Sequence, residues 1–186
     1  IIYMSDHGDM LGSHGQWEKS SPWEESIRIP FVVGTAGGQE HMHVGEYRYP
    51  LNHVDIAPTT LGLCGITALP EMVGYDFSPL ITNGPEAVNH TESPPRSALL
   101  QQIPRKYHPH SVNRAWRAVV TSDNWKYVCT PNNDWLLHDL STDPFELANL
   151  CYDTAFQDQK EQLHAELTRL LEVTGDSFPM PGGSQE

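Results

Sequence analysis

The residues of this 186-residue chain that are best suited to chemistry stand at its beginning. Asp6 and His7 follow the apolar run Ile1–Met4, which predicts a buried β-strand. Open α/β sheets place their ligands at the carboxyl ends of strands. A carboxylate beside an imidazole can offer one oxygen and one nitrogen to a single cation, and Gly8 lets the backbone turn away without a Cβ clash. The same residues could also form an ordinary strand-to-loop turn, since Asp and Gly are common turn residues.

The residues after this turn extend the pattern. A loop that contains Gly12 and Gly15 leads to Lys19, and residues 23–30 (WEESIRIP) lead into a second predicted strand. In order and spacing, these pieces and residues 5–8 (SDHG) resemble the type I sulfatases of the alkaline phosphatase superfamily. In that family a strand ends in Ser-Asp-His-Gly or Ser-Asp-Asn-Gly. A Gly-rich loop, a lysine and a Tyr/Trp-Glu-Glu-Ser-x-Arg-x-Pro segment follow.

The resemblance implies roles for four residues. Asp6 and His7 match two ligands of the catalytic divalent metal, and Lys19 matches the lysine that contacts the sulfate and the ester oxygen. Sulfate-ester cleavage builds negative charge on the transferring group and the leaving oxygen, and a metal and a fixed ammonium stabilise that charge. The alternative for Lys19 is a solvated loop charge. His14 could bind substrate or hydrogen-bond within its loop; we favour the loop because most polar loop side chains bond to backbone or water.

The resemblance also implies chemistry that this sequence does not contain. Sulfatases carry a paired-aspartate metal site and a Cys/Ser-x-Pro-x-Arg motif in their N-terminal half, and the Cys or Ser of that motif is converted to formylglycine. Neither feature occurs here, and Cys64 is expected to be a small core residue. We therefore expect the C-terminal portion of a sulfatase, with half of an active site. Its partner would be the N-terminal half that carries the formylglycine, and the portion alone would be inactive.

The composition of the chain indicates which kinds of partner it can bind. The formal net charge is -13, so the basic surface typical of nucleic-acid binding is missing. Attraction of an anionic ester must then come from the metal and from Lys19. No stretch is long and apolar enough to span a membrane, and no signal-peptide pattern stands at the N-terminus. Three cysteines without metal-ligand spacing do not decide the compartment; the resemblance favours a periplasmic, secreted or lysosomal location over the cytoplasm.

The predicted fold class is α/β, similar to alkaline phosphatase and the sulfatases. Residues 1–82 are expected to form the C-terminal part of the catalytic α/β domain, 83–96 a crossing segment rich in Asn, Gly, Pro, Glu and Ser, and 97–186 a small antiparallel sheet with a long helix. In the first domain, Asn52 is expected to cap a helix over residues 52–65.

Turn residues and alternating patterns predict the elements of the C-terminal subdomain. Strands are expected over residues 97–101, 115–121, 126–130 and 135–139. A helix over residues 154–174 carries an apolar stripe and a capping-box pair, Thr154 and Gln157. The tail from Phe178 onward is expected to fray.

The resemblance implies a metal-dependent sulfuric ester hydrolase that acts on a sulfated carbohydrate or a similar small ester. Two alternatives stay open: a phosphonate monoester or phosphodiester hydrolase of the same superfamily, and a truncated, catalytically inactive module. An oxygen-rich site favours Ca²⁺, and an imidazole ligand also admits Mn²⁺, Mg²⁺ or Zn²⁺. Trp125, Lys126 and Tyr127 could line a sugar subsite, but packing within the subdomain is favoured because aromatic residues are common in strands.

Overall fold

The computed structural model describes residues 1–36, 42–87, 93–103 and 111–182. The chain forms two compact units, Ile1–Met4 with Pro30–Ala98 and Ser5–Ile29 with Leu99–Glu186. The predicted domain boundaries after residues 82 and 96 stay a prediction, and part of the crossing segment lies outside the described residues. The strands are β1 (Ile2–Met4), β2 (Phe31–Val33), β3 (Ser97–Gln102), β4 (Trp116–Thr121), β5 (Trp125–Thr130) and β6 (Asn133–Asp139). The helices are α1 (Glu24–Ile27), α2 (His53–Leu63), α3 (Ser78–Asn83) and α4 (Gln157–Thr174).

In the first unit, β1 and β2 form an antiparallel pair, with Ile2 opposite Val33 and Tyr3 opposite Val32. The strand expected at the start of the chain is confirmed, but its expected burial is wrong. Tyr3 and Val32 are exposed. They share one face of the pair because side chains alternate along a strand, and nothing among the described residues covers that face.

Helix α2 confirms the predicted cap. Asn52 Oδ1 accepts a hydrogen bond from the His53 amide at 2.7 Å, and Asp55 Oδ2 accepts one from the Asn52 amide at 2.7 Å. These side chains complete a capping box, which satisfies amides that the helix itself cannot pair. Cys64 caps the other end of the helix and is exposed. Its expected place in the core is therefore wrong, because the helix ends before Cys64 can turn inward.

The second unit is built on a four-stranded sheet in the order β3-β4-β5-β6, in which β5 pairs antiparallel with both β4 and β6. One face of the sheet packs against α4, and the predicted leucine stripe of that helix is confirmed as core. The other face packs against Trp23, the N-cap of α1, and Ile27, the last residue of that helix. The segment Ser5–Ile29, which carries the candidate site residues, is therefore anchored in the core of this unit.

Two predictions near α4 are wrong. Thr154 does not cap α4: a 3₁₀ turn, Thr154–Phe156, precedes the helix, and Asp153 caps that turn by accepting the Ala155 amide at 2.9 Å. The described part of the tail, residues 178–182, is packed: Pro179 O accepts the Asn132 amide at 3.0 Å, and Phe178 and Met180 pack on the core. The last four residues of the predicted tail lie outside the described residues. Burial of these apolar side chains outweighs the entropy of a frayed end.

Candidate functional site

The turn at Asp6 and His7 holds both side chains in defined positions. Ser5 Oγ donates to His7 O at 2.7 Å, and the His7 amide donates to Asp6 Oδ1 at 3.1 Å. His7 Nδ1 lies 2.7 Å from Gly8 O, and His7 Nε2 lies 3.5 Å from Asp6 Oδ2. The Asp6 side chain is 85% exposed and that of His7 is 37% exposed. The two sequence neighbours therefore face one another at an accessible surface.

This arrangement fits two ligands of a divalent cation. A carbonyl oxygen can only accept, so the contact with Gly8 O places the proton of His7 on Nδ1 and leaves the lone pair on Nε2, beside Asp6 Oδ2. A second-sphere hydrogen bond that fixes the tautomer is typical of metal-binding histidines. Within the described ranges, no group of three or more His, Cys, Asp or Glu side chains could hold a metal. Asp6 and His7 can thus supply part of a coordination sphere.

Gly8 fixes this turn to α1. The Gly8 amide donates to Ser26 O at 2.9 Å. A Cβ on Gly8 would lie 1.9 Å from Glu25 O, which is far inside van der Waals contact. Only glycine therefore permits the backbone to approach α1 so closely.

The loop that follows is held in a strained conformation by its own backbone. Met10 is buried, and its amide donates to Glu18 O at 2.8 Å. The Gly12 amide donates to Gln16 O at 2.8 Å. Within residues 11–20, six residues have positive φ: Leu11, Gly12, His14, Gly15, Glu18 and Ser20. Such angles cost about 1–3 kcal/mol for a residue other than glycine and gather at functional sites, where the surroundings enforce them.

Lys19 lies at the end of this loop, with a fixed backbone. Its carbonyl oxygen accepts from Ser111 Oγ, and the next carbonyl, Ser20 O, accepts from Trp116 Nε1 at 3.0 Å. In the part of the chain that the structure describes, the Lys19 ammonium has no hydrogen-bond or ion-pair partner. A positioned backbone with an unneutralised ammonium suits the binding of an anion.

His14 packs within the loop. Its ring stacks on Trp23 with centroids 4.9 Å apart and planes at 19°. Its Nε2 lies 3.9 Å from Glu25 Oε1, the same oxygen that accepts from Ser13 Oγ. These contacts tie His14 to α1, and none of the described contacts joins it to Asp6 or His7. Substrate contact by His14 stays a prediction.

The structure adds three charged residues that the sequence did not single out as a group. Lys126 is fully buried, and its Nζ lies 3.1 Å from Glu24 Oε1, 2.5 Å from Glu146 Oε1 and 2.8 Å from Pro22 O. Burial raises the pKa of the Glu146 carboxyl, and the charge of Lys126 opposes that rise. The packing interpretation of Lys126 and Tyr127 is confirmed, since both are fully buried. In the sequence, Glu24 lies in the segment of residues 23–30 and Lys126 lies beside Trp125 and Tyr127, but no local pattern joins these residues to Glu146.

Comparison with known protein families identifies the family of this chain. A family model described as "N-sulphoglucosamine sulphohydrolase, C-terminal" matches residues 12–173. The chain belongs to the type I sulfatases of the alkaline phosphatase superfamily. This sulfatase chain is 31% identical over 181 residues to the ulvan-active sulfatase of Formosa agariphila, covering 96% of this chain and 34% of the relative. It is 32% identical over 153 residues to arylsulfatase K of Gallus gallus, covering 81% and 27%.

Further relatives agree on how much of the fold is present. The choline-sulfatase of Rhizobium meliloti is 30% identical over 173 residues, covering 86% of this chain and 30% of the relative. The sulfatase chain thus spans about a third of the length of the curated relatives it matches. It corresponds to a C-terminal part of the sulfatase fold, and its closing subdomain is the four-stranded sheet with α4.

Solved structures confirm the predicted α/β fold class. One is a protein in complex with its substrate D-glucosamine-2-N,6-O-disulfate, with TM-score 0.75 and 23% identity, covering 96% of this chain and 35% of that one. Another is the phosphonate monoester hydrolase of Agrobacterium radiobacter, with TM-score 0.68 and 23% identity, covering 94% and 35%. Identities at this level establish the fold alone. Among the described residues, no helix has the length and apolar character needed to cross a bilayer.

Proposed function

We propose that the protein to which this chain belongs is a metal-dependent sulfuric ester hydrolase. Asp6 and His7 contribute ligands to its divalent cation, and Lys19 binds the sulfate group. The observation that carries the proposal is the pairing of His7 Nε2 with Asp6 Oδ2, with His7 Nδ1 committed to Gly8 O. Membership of the sulfatase family supports the same assignment.

Each residue has a definite task in this proposal. Asp6 and His7 orient two ligand atoms before substrate arrives, and the contact with Gly8 O keeps the His7 proton away from the ligand nitrogen. A divalent cation bound there would supply a Lewis acid for the ester and its attacking group. Lys19 places a positive charge beside the oxygens that gain charge as the ester bond breaks. The anchored loop fixes the Lys19 backbone, so little reorganisation is needed during reaction.

The finer assignments follow from ligand chemistry and from the relatives. Ca²⁺ is the proposed metal because carboxylate oxygens suit it, with Mn²⁺, Mg²⁺ and Zn²⁺ as alternatives that an imidazole ligand admits. A sulfated carbohydrate or a similar small ester is the proposed substrate. It is supported by the relatives, which include an ulvan-active sulfatase and a choline-sulfatase, and by a fold neighbour that binds a disulfated glucosamine.

The remaining expectations concern the rest of the protein. The N-terminal half would provide the formylglycine nucleophile, so this chain by itself should not turn over an aryl sulfate. A periplasmic, secreted or lysosomal location is proposed on family grounds alone.

The test uses the full-length protein and two substrates, an aryl sulfate and an aryl phosphonate monoester. We expect a higher kcat/KM for the sulfate, loss of turnover after chelation, and recovery on addition of Ca²⁺. A higher kcat/KM for the phosphonate would replace the proposal with the hydrolase alternative. Full turnover after complete removal of the metal, or a folded and metal-loaded protein without turnover, would refute it.

A further inference from the structure

We propose that Lys126, together with Glu24 and Glu146, is a positioning group for the candidate site, and call these three residues the ion cluster. We call residues 22–26 the corner and residues 6–20 the site loop. The function of the ion cluster is to fix the position of the corner, which in turn holds the site loop. The catalytic consequence rests on the function proposed above. The positioning itself is a property of the fold that can be measured separately.

Lys126 Nζ joins all three parts of this arrangement. It donates hydrogen bonds to Glu24 Oε1 and to the backbone oxygen Pro22 O, and it forms an ion pair with Glu146 Oε1. The second carboxylate oxygen of Glu146 accepts the Glu24 amide at 2.7 Å. The ion cluster therefore contacts the corner at three groups: the Pro22 carbonyl, the Glu24 amide and the Glu24 side chain.

The corner in turn holds the site loop at two points. Ser26 O accepts the amide of Gly8, directly after Asp6 and His7. Glu25 accepts from Ser13 Oγ and lies 3.9 Å from His14 Nε2. A shift of the corner is therefore transmitted to the candidate metal ligands through Gly8 and to the middle of the loop through Glu25.

A role in stability alone explains this arrangement poorly. Buried ion pairs are weak devices for stability, because apolar residues of similar volume often replace them without loss. The cluster commits three charged side chains and holds Glu146 at φ +55°, an angle that is rare outside glycine. Directed contacts to the backbone specify where the corner lies, which apolar packing does not do.

The same sheet offers a matched control. Arg117 on β4 pairs with Asp176 at 2.6 Å, with side chains 10% and 16% exposed. This pair is also largely buried, although less so than Lys126 and Glu146, and it holds the C-terminal tail instead of the corner. Breaking it should destabilise the unit without disturbing the site loop.

The experiment compares Lys126→Met and Arg117→Met in the full-length protein by hydrogen exchange, metal affinity, kcat and KM. The readout amides are those of Gly8, which donates to Ser26 O, and of Asn132, which donates to Pro179 O. Lys126→Met should speed exchange at Gly8 at least ten-fold more than Arg117→Met does, and Arg117→Met should speed exchange mainly at Asn132. Metal affinity or kcat should fall about ten- to a hundred-fold in Lys126→Met only, the range for partners behind a metal ligand.

A second variant keeps the inference testable if Lys126→Met does not fold. Glu146→Gln retains the shape and one acceptor for the Glu24 amide, and it should move the same readouts in the same direction by a smaller factor. Equal exchange at Gly8 in the Lys126 or Glu146 variant and in Arg117→Met would overturn the inference. Faster exchange at Gly8 in a protein whose wild type has no sulfatase turnover would support the positioning and refute the proposed function instead.

Discussion

A single methyl group at Gly8 should disable the candidate site. In Gly8→Ala the new Cβ would lie 1.9 Å from Glu25 O and 2.9 Å from Glu25 C. Both neighbours are backbone atoms, so no side-chain rotation can relieve the contact. Cβ atoms essentially never approach closer than 3.0 Å, which means that the turn and α1 must separate by about 1.1 Å.

The expected loss follows from that displacement. The hydrogen bond from the Gly8 amide to Ser26 O, now 2.9 Å, would stretch to about 4 Å and break. His7 and Asp6 would move with Gly8, and a misplacement of about 1 Å can lower turnover about a hundred-fold. We therefore expect kcat to fall about a hundred-fold, with weaker metal binding and a stability loss of about 1–3 kcal/mol.

The assay measures metal content, kcat and thermal unfolding of full-length Gly8→Ala beside Gly34→Ala. Gly34 is the control because a Cβ there meets no atom within 4 Å and its φ is not positive. Its metal content and kcat should match the wild type. If Gly8→Ala keeps metal and turnover within about two-fold of Gly34→Ala, the close approach of the turn to α1 does not constrain the site.

Two further predictions concern the second unit. Burial lowers the pKa of His138 to about 4, and the charge of Lys126 is the second cause. The folded-state pKa therefore lies below the ordinary value of 6.5. The stability that His138 contributes above about pH 6.5 is lost as the pH falls toward 4. The difference between the two pKa values corresponds to about 3 kcal/mol of stability. Urea unfolding at pH 7.5 and pH 4.5 should show a smaller loss of unfolding free energy on acidification in His138→Gln than in wild type. Equal losses in the two proteins would contradict the assignment. Leu167 on α4 is fully buried, so Leu167→Ala should lower the free energy of unfolding by about 3 kcal/mol with metal content unchanged, whereas exposed Val173→Ala on the same helix should change it by less than about 0.5 kcal/mol.

Features that depend on neighbouring residues were predictable from the sequence. The cap formed by Asn52 and Asp55, the leucine stripe of α4 and the turns between β4, β5 and β6 follow from local rules, and the structure confirms them. Asp6 and His7 could be paired because they are adjacent in the chain.

Features that depend on distant residues were not predictable. Lys126 meets Pro22, Glu24 and Glu146, and the contact with Pro22 spans 104 residues. A lysine within a strand has no local pattern that names such partners. The stack of His14 on Trp23 and the exposed face of β1 likewise depend on how the chain returns upon itself.

The central claim is tested most directly by metal content and turnover in full-length Asp6→Ala and Lys19→Ala. Asp6→Ala should lose both stoichiometric metal and activity, since a ligand is removed. Lys19→Ala should retain stoichiometric metal but fall about a hundred-fold or more in kcat, the scale for loss of one preorganised charge-stabilising group. Stoichiometric metal in Asp6→Ala, or nearly full turnover in Lys19→Ala, would contradict the site described here.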